Sequence, residues 1–288
     1  MRLLIATLAL ALGANAAGAQ ERVSFLSLDG VTTLQAHLIR PKAEGRRPAL
    51  VFLHGCSGLL RPRGGMFPLY PDWGRRLAAK GYVILMVDSA ASRGFGETCT
   101  ASPARITVAR NRPLDAYAAL KYLQAQPFVR PDRVGLIGWS QGGATVLRSI
   151  AARSIARPVP LAHDFKAAVA LYPGACAEHW HTRPFVNAEP NSWTTKIPLL
   201  VLFGEQDNWT PIKPCEEFIA GTKARGAPVE FKRYPFALHG FDAPGQLRLA
   251  LPAYRLADGT VPEVGTDGDA RADALLRVPE FFGRYLGN

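Results

Sequence analysis

The stretch that most constrains this chain is residues 134–145, VGLIGWSQGGAT. An apolar run ends in Gly138-Trp139-Ser140-Gln141-Gly142, followed by Gly143, Ala144 and a helical pattern. Read as strand, turn and helix, it displays a serine on the turn with G-x-S-x-G spacing. A serine held there must adopt a strained backbone angle, and glycines two residues to either side relieve the crowding. The helix opening at Gln141 aims free N–H groups and its positive dipole end at that serine, which suits a developing anion. The same letters also describe a glycine-rich turn with an incidental serine, so the rest of the chain has to decide.

Strand-like runs lie at 24–28 and 34–39 around Asp29-Gly30, the pattern of an antiparallel hairpin at a sheet edge. Continuous apolar runs at 49–53, 82–87, 167–171 and 198–203 read as buried parallel strands, and 229–234 as the last strand. Helical patterns lie at 71–80, 114–126, from the serine to about 153, from 211 to about 224, and at 270–285. Loops are expected at 89–105, 177–196 and 244–267. Strands alternating with helices predict an α/β fold: a mostly parallel, doubly wound sheet with helices on both faces. No repeat or linker divides it, so one domain is expected.

Ligands of such sheets bind beyond the carboxyl ends of the strands. Four unusual segments fall there, at 54–58, 139–142, 204–207 and 238–241. They supply, in chain order, Ser140, an acid and a histidine. Asp207 ends a buried strand and is the expected acid; Glu205 is the nearest rival. Asp207 could instead simply cap the turn before Thr210-Pro211. Asp88 precedes the serine and Asp242 follows the histidine too closely. Among six histidines, His239 lies just past the last strand and is the expected base. His54 shapes a His-Gly turn, and His37 and His163 read as structural. His179 and His181 form an H-x-H pair without a third metal ligand nearby, so neither a metal nor a cofactor is called for.

The chemistry follows from the residue types. Serine is a weak nucleophile near neutral pH, and His239 would take its proton during attack on an ester carbonyl and then pass it to the leaving alcohol. Asp207 would hold the imidazole tautomer. The oxyanion needs preorganised donors, for which the backbone N–H groups of Cys56 and Gln141 are the candidates.

With these residues assembled, the chain resembles the α/β-hydrolase superfamily, and within it an exported, serine-containing branch of the dienelactone hydrolase family. The marks are HGCSG at 54–58, GYVILMVDS at 81–89, RPLDAYAALKYL at 112–123, GWSQGG at 138–143 and HGFD at 239–242. Dienelactone hydrolase proper is similar but carries cysteine at the position of Ser140. The resemblance implies an α/β-hydrolase fold and a carboxylic ester hydrolase acting on a small-molecule ester. It leaves three other readings open: a peptidase or a polyester hydrolase on the same triad, or a silent binding protein on the scaffold. Arg93, Trp139 and Trp180 are the candidate substrate contacts.

Residues 1–19 read as a signal peptide: a basic Arg2, an apolar run at 3–12, and the small-residue site Ala17-Gly18-Ala19. The hydrolase domain is then 20–288, expected in the periplasm or secreted, with no integral membrane segment. The net charge is +11, but the arginines are scattered, which argues against nucleic acid as a partner. Oligomeric state is not legible. Four cysteines in an oxidising compartment favour two disulfides over free thiols. Cys56 with Cys99 and Cys176 with Cys215 is the expected pairing, because each pair follows strands expected to be sheet neighbours about 5 Å apart.

Overall fold

The continuous apolar runs of the sequence become the interior of an eight-stranded sheet. The structure, a computed structural model, describes residues 17–100 and 102–287. The expected leader therefore lies mostly outside the described residues; its last three residues open the first strand, β1 (Ala17–Leu26). β1 pairs antiparallel with β2 (Thr33–Pro41), around a turn in which Asp29 accepts bonds from the Val31 and Thr32 amides.

The next strands are β3 (Arg47–Leu53), β4 (Val83–Asp88), β5 (Val129–Trp139), β6 (Ala167–Leu171), β7 (Leu199–Gly204) and β8 (Val229–Tyr234). They order as β1-β2-β4-β3-β5-β6-β7-β8, parallel from β4 onward. β4, β6 and β7 are buried at every position, as strands covered on both faces must be. The helices are α1 (Leu69–Ala79), α2 (Pro103–Gln124), α3 (Gln141–Ile150), α4 (Ile212–Ala224) and α5 (Gly268–Leu286). This is the α/β-hydrolase architecture, with helices on both faces of the sheet. Gly135 of β5 leaves the room that α5 fills: a Cβ there would lie 2.8 Å from both Leu50 and Phe282.

The largest departure from expectation is α2, which begins eleven residues before position 114 and shortens the preceding loop. Ser102 caps it, accepting from the Arg105 amide at 3.2 Å, and Pro103 needs no donor in the first turn. Pro113, just before the expected start, sits inside it. An interior proline costs about 3 kcal/mol. Burial of Val108, Ala116, Tyr117, Ala119 and Leu120 on that helix offsets it. The expected loop at 244–267 contains a small hairpin, β9 (Leu249–Ala250) with β10 (Glu263–Val264).

Both expected disulfides are present, Cys56–Cys99 and Cys176–Cys215, with Cα atoms 4.7 Å apart in each. Their strands are neighbours, β3 beside β4 and β6 beside β7. Closing loops of 43 and 39 residues contributes about 3–4 kcal/mol each. No helix among the described residues is long and apolar enough to cross a membrane.

One core residue makes stability depend on pH. His181 is fully buried and stacked on Phe218 at 4.8 Å, and the Ala175 backbone offsets its burial only in part. Burial, aided by the charge of Arg148, pushes its pKa down to about 3. The unfolded chain binds that proton below about pH 6.5. The folded state does not, so stability is full above that value and falls as pH drops toward 3. The contribution is about 2 kcal/mol between pH 6.5 and 5, at 1.36 kcal/mol per unit. Urea unfolding of His181→Phe, which keeps the ring stack, should show a pH 7 to pH 5 loss smaller by about that amount than the parent's. Parallel losses would refute the assignment.

Candidate active site

Ser140 sits between the end of β5 and the start of α3 with φ 53° and ψ −116°, a conformation side chains rarely hold. Its amide donates to Leu171 O, and its carbonyl accepts from Ala144 and Gly174. The flanking glycines are required by contact distance. A Cβ on Gly138 would lie 2.3 Å from Gly142 O, and one on Gly142 only 2.0 Å from Leu53 O. The spacing G-x-S-x-G is thus the imprint of α3 pressed against the ends of β3 and β5.

Asp207 follows β7 and His239 follows β8, at the same edge of the sheet. His239 Nδ1 lies 2.7 Å from Asp207 Oδ2. A carboxylate only accepts, so Nδ1 carries the proton and Nε2 offers its lone pair. The turn-capping role of Asp207 holds as well: Oδ1 accepts from the Trp209 and Thr210 amides, both at 2.9 Å. The Thr210 hydroxyl donates to Oδ2 at 2.7 Å. One carboxylate, itself fixed by three donors, orients the imidazole. The ring lies between Tyr172 and Trp209, with centroids 4.6 and 5.1 Å away. The Ser140 hydroxyl makes no hydrogen bond to a described residue. Glu205 is exposed and faces Arg233.

The His54–Gly58 turn packs directly on the serine: a Cβ on Gly55 would lie 3.6 Å from Ser140 Cβ. Tyr70 OH fixes the Gly55 amide at 2.8 Å. His54 is fully buried; its Nδ1 lies 2.6 Å from Gly55 O and its Nε2 accepts from the Ser89 amide at 3.2 Å. Burial and the Arg112 charge hold its pKa well below the usual histidine range, so it is a neutral structural member of the turn. The amides of Cys56 and Gln141 make no hydrogen bond within the described residues.

The three expected substrate contacts fare differently. Arg93 is not available to an anion: its guanidinium is buried between Asp29 (2.7 Å) and Asp115 (2.8 Å) and also donates to Ser89 O. A cation this deep is held by its paired carboxylates, and it ties the β1–β2 turn to α2. Trp139 is not at a substrate surface either. It is 1 % exposed, packed on Phe52, Tyr70 and Trp73, with Nε1 donating to Asp242 at 2.8 Å. Trp180 is solvent-facing, beside His179 and Phe185.

Residues not expected here complete the support. Asp242 is wholly buried and accepts from Trp73 Nε1, Trp139 Nε1 and Tyr172 OH at 2.7–2.8 Å. It thus connects the residue before Ser140, the tyrosine under His239 and the histidine loop. Burial raises its pKa, opposed by those three donors. Arg112 and Thr98 bridge the His54–Gly58 turn and Gln141. Asp242 and Arg112 were visible in the HGFD and RPLDAYAALKYL motifs; their roles were not, because both act through contacts more than 28 residues away in sequence.

The model of the dienelactone hydrolase family matches residues 34–286. The chain belongs to the dienelactone hydrolase family. It is an enzyme, a serine hydrolase of the ester or peptide type. Among curated relatives, a candidate carboxymethylenebutenolidase of Synechocystis sp. is 27% identical over 224 residues, covering 72% of this chain and 81% of that one. YuxL of Bacillus subtilis, described as an uncharacterized peptidase, is 23% identical over 246 residues, 79% of this chain. This chain spans only 36% of YuxL's length. Among solved structures, the dienelactone hydrolase-like promiscuous phosphotriesterase P91 from metagenomic libraries superposes with TM-score 0.67 at 20% identity. That match covers 94% of this chain and all of P91, and it shows the shared fold.

Proposed function

We propose that this member of the dienelactone hydrolase family is a serine-dependent carboxylic ester hydrolase working through Ser140, His239, Asp207 and an acyl-enzyme. The observations that carry the reading are the 2.7 Å Asp207–His239 pair at the exits of β7 and β8 and a strained serine at the exit of β5, which the His54–Gly58 turn touches. Ser140 Oγ attacks the ester carbonyl carbon while His239 Nε2 takes its proton. The resulting oxyanion is received by the Cys56 and Gln141 amides. Collapse expels the alcohol, which takes the proton from His239. Water then attacks the acyl carbon, giving its proton to the same nitrogen, and Ser140 leaves reprotonated. The substrate is a small-molecule carboxylic ester.

Cleavage by the purified protein of nitrophenyl esters of graded acyl length, beside a peptide panel, tests the reading. Ester turnover is expected, together with labelling by a fluorophosphonate that Ser140→Ala abolishes. Peptide cleavage alone would favour the peptidase reading that the YuxL name suggests. No labelling and no turnover would sink both. Two disulfides suit an oxidising compartment, which supports residues 1–19 as an export leader and 20–288 as the periplasmic or secreted enzyme.

A further inference from the structure

The two segments that offer oxyanion donors leave two adjacent parallel strands, β3 and β5. Cys56 follows β3, and Gln141 opens α3. Their amides can receive one oxygen only if the spacing between the segments is fixed, and backbone amides cannot adjust it individually. A buried arginine spans that gap. Arg112 of α2 has no exposed surface, and its Nη2 donates to His54 O at 2.5 Å while its Nη1 donates to Gln141 Oε1 at 2.9 Å. One guanidinium fork therefore holds the turn that carries the Cys56 amide and the residue that carries the other.

A second clamp links the same two segments. The Thr98 amide donates to Cys56 O at 2.7 Å, and the Thr98 hydroxyl donates to Gln141 Oε1 at 3.1 Å. The neighbouring Cys99 is bonded to Cys56 itself. Gly58 and Gly96 touch so closely that a Cβ on Gly58 would lie 2.7 Å from Gly96 O. Gln141 Oε1 thus accepts from Arg112 and Thr98 together, and both its carbonyl lone pairs are used.

The charge on this fork is uncompensated at contact distance. Arg112 forms no ion pair with a described residue; Asp115 is taken by Arg93 and Ser27, and Asp88 by the Ala91 amide. Burial lowers its pKa to about 10, so it remains charged at neutral pH. A buried cation bound to two neutral carbonyl oxygens is a costly arrangement for stability alone. It is well suited to a site where negative charge appears during reaction.

We infer that Arg112 is the positioning residue of the oxyanion hole: its guanidinium locks the His54–Cys56 turn to Gln141 and sets a fixed positive charge behind both donors. The inference rests on the ester-hydrolase reading, and it assigns to Arg112 no contact with substrate. Its effect is confined to the state in which the carbonyl oxygen carries charge, so it acts on kcat and leaves ground-state binding unaltered.

The test uses the full-length protein and the variants Arg112→Met, Arg112→Lys and Gln141→Ala. The parent is first shown to hydrolyse a nitrophenyl ester and to be labelled at Ser140; failure at that stage overturns the ester-hydrolase reading and this inference with it. Given that activity, Arg112→Met should lower kcat roughly 10- to 100-fold with KM within about twofold. Its affinity for a trifluoromethyl ketone, which adds to serine to form an oxyanion, should fall by the same factor, while the alcohol product binds as before. Arg112→Lys keeps the charge without the fork and should recover part of the loss. Gln141→Ala keeps the amide but cuts the link, and its effect should not add to that of Arg112→Lys. These two carry the test if Arg112→Met does not fold. Parental kcat and ketone affinity in the folded variants, or a loss confined to KM, would overturn the inference while leaving the ester-hydrolase reading intact.

Discussion

Ser140→Ala and His239→Ala should each lower kcat for ester hydrolysis by roughly three to six orders of magnitude, and the double variant should be little worse than either. The non-additivity is expected because the hydroxyl and the imidazole act in one proton transfer. Asp207→Asn is the informative third variant. An asparagine oxygen can still accept from the Trp209 and Thr210 amides, so the turn after β7 survives. Its amide would then face His239 Nδ1 in place of Oδ2, across a gap that is now 2.7 Å. The imidazole would have to accept there and carry its proton on Nε2, the tautomer that cannot deprotonate serine. Loss of turnover with unchanged thermal unfolding is the expected result, read by steady-state kinetics and calorimetry. A His239→Ala enzyme with near-parental kcat would remove the proposed base from the mechanism.

Gly142→Ala should be the most damaging single methyl in the chain. Its Cβ would fall 2.0 Å from Leu53 O and 2.7 Å from His54 O, both backbone atoms of the β3 exit. Neither can rotate away, so α3 or β3 must shift. That moves the serine, the Gln141 amide and the His54–Gly58 turn together. A cost of about 3 kcal/mol or more is expected, at the upper end of single-residue effects. The folded remainder should have lost at least about a hundredfold in kcat, as misplacement of about 1 Å does. Gly174→Ala is the stability control, since nothing lies closer than 3.7 Å to its added carbon. Denaturant unfolding of the two variants checks this; equal stabilities would show that the elbow yields to a methyl group.

The local pattern of the chain determined most of the architecture. Fully covered parallel strands read as unbroken apolar runs, which is why the cores of β3, β4, β6 and β7 were legible from residue order alone. The serine turn was legible because its first glycine answers a backbone contact four residues on, at Gly142 O; the demand on Gly142 itself comes from the distant exit of β3. Asp207 and His239 were legible because strand ends carry the chemistry in such sheets, and the disulfide pairs because strand adjacency limits which cysteines can meet.

Only the tertiary structure decided what the buried polar side chains do. An arginine in a loop-like segment looks the same whether it meets a substrate or, as Arg93 does, two carboxylates from distant elements. Trp139 beside the serine is a candidate substrate contact by position, yet its indole is spent on Asp242, 103 residues away. The early start of α2 was hidden for the same reason: Pro113 breaks helices locally, and only packing against the sheet outweighs it. Residue order reports short-range sterics and periodic burial. The partner of a buried charge is chosen by three-dimensional proximity and the cost of leaving that charge unpaired, which no local pattern records.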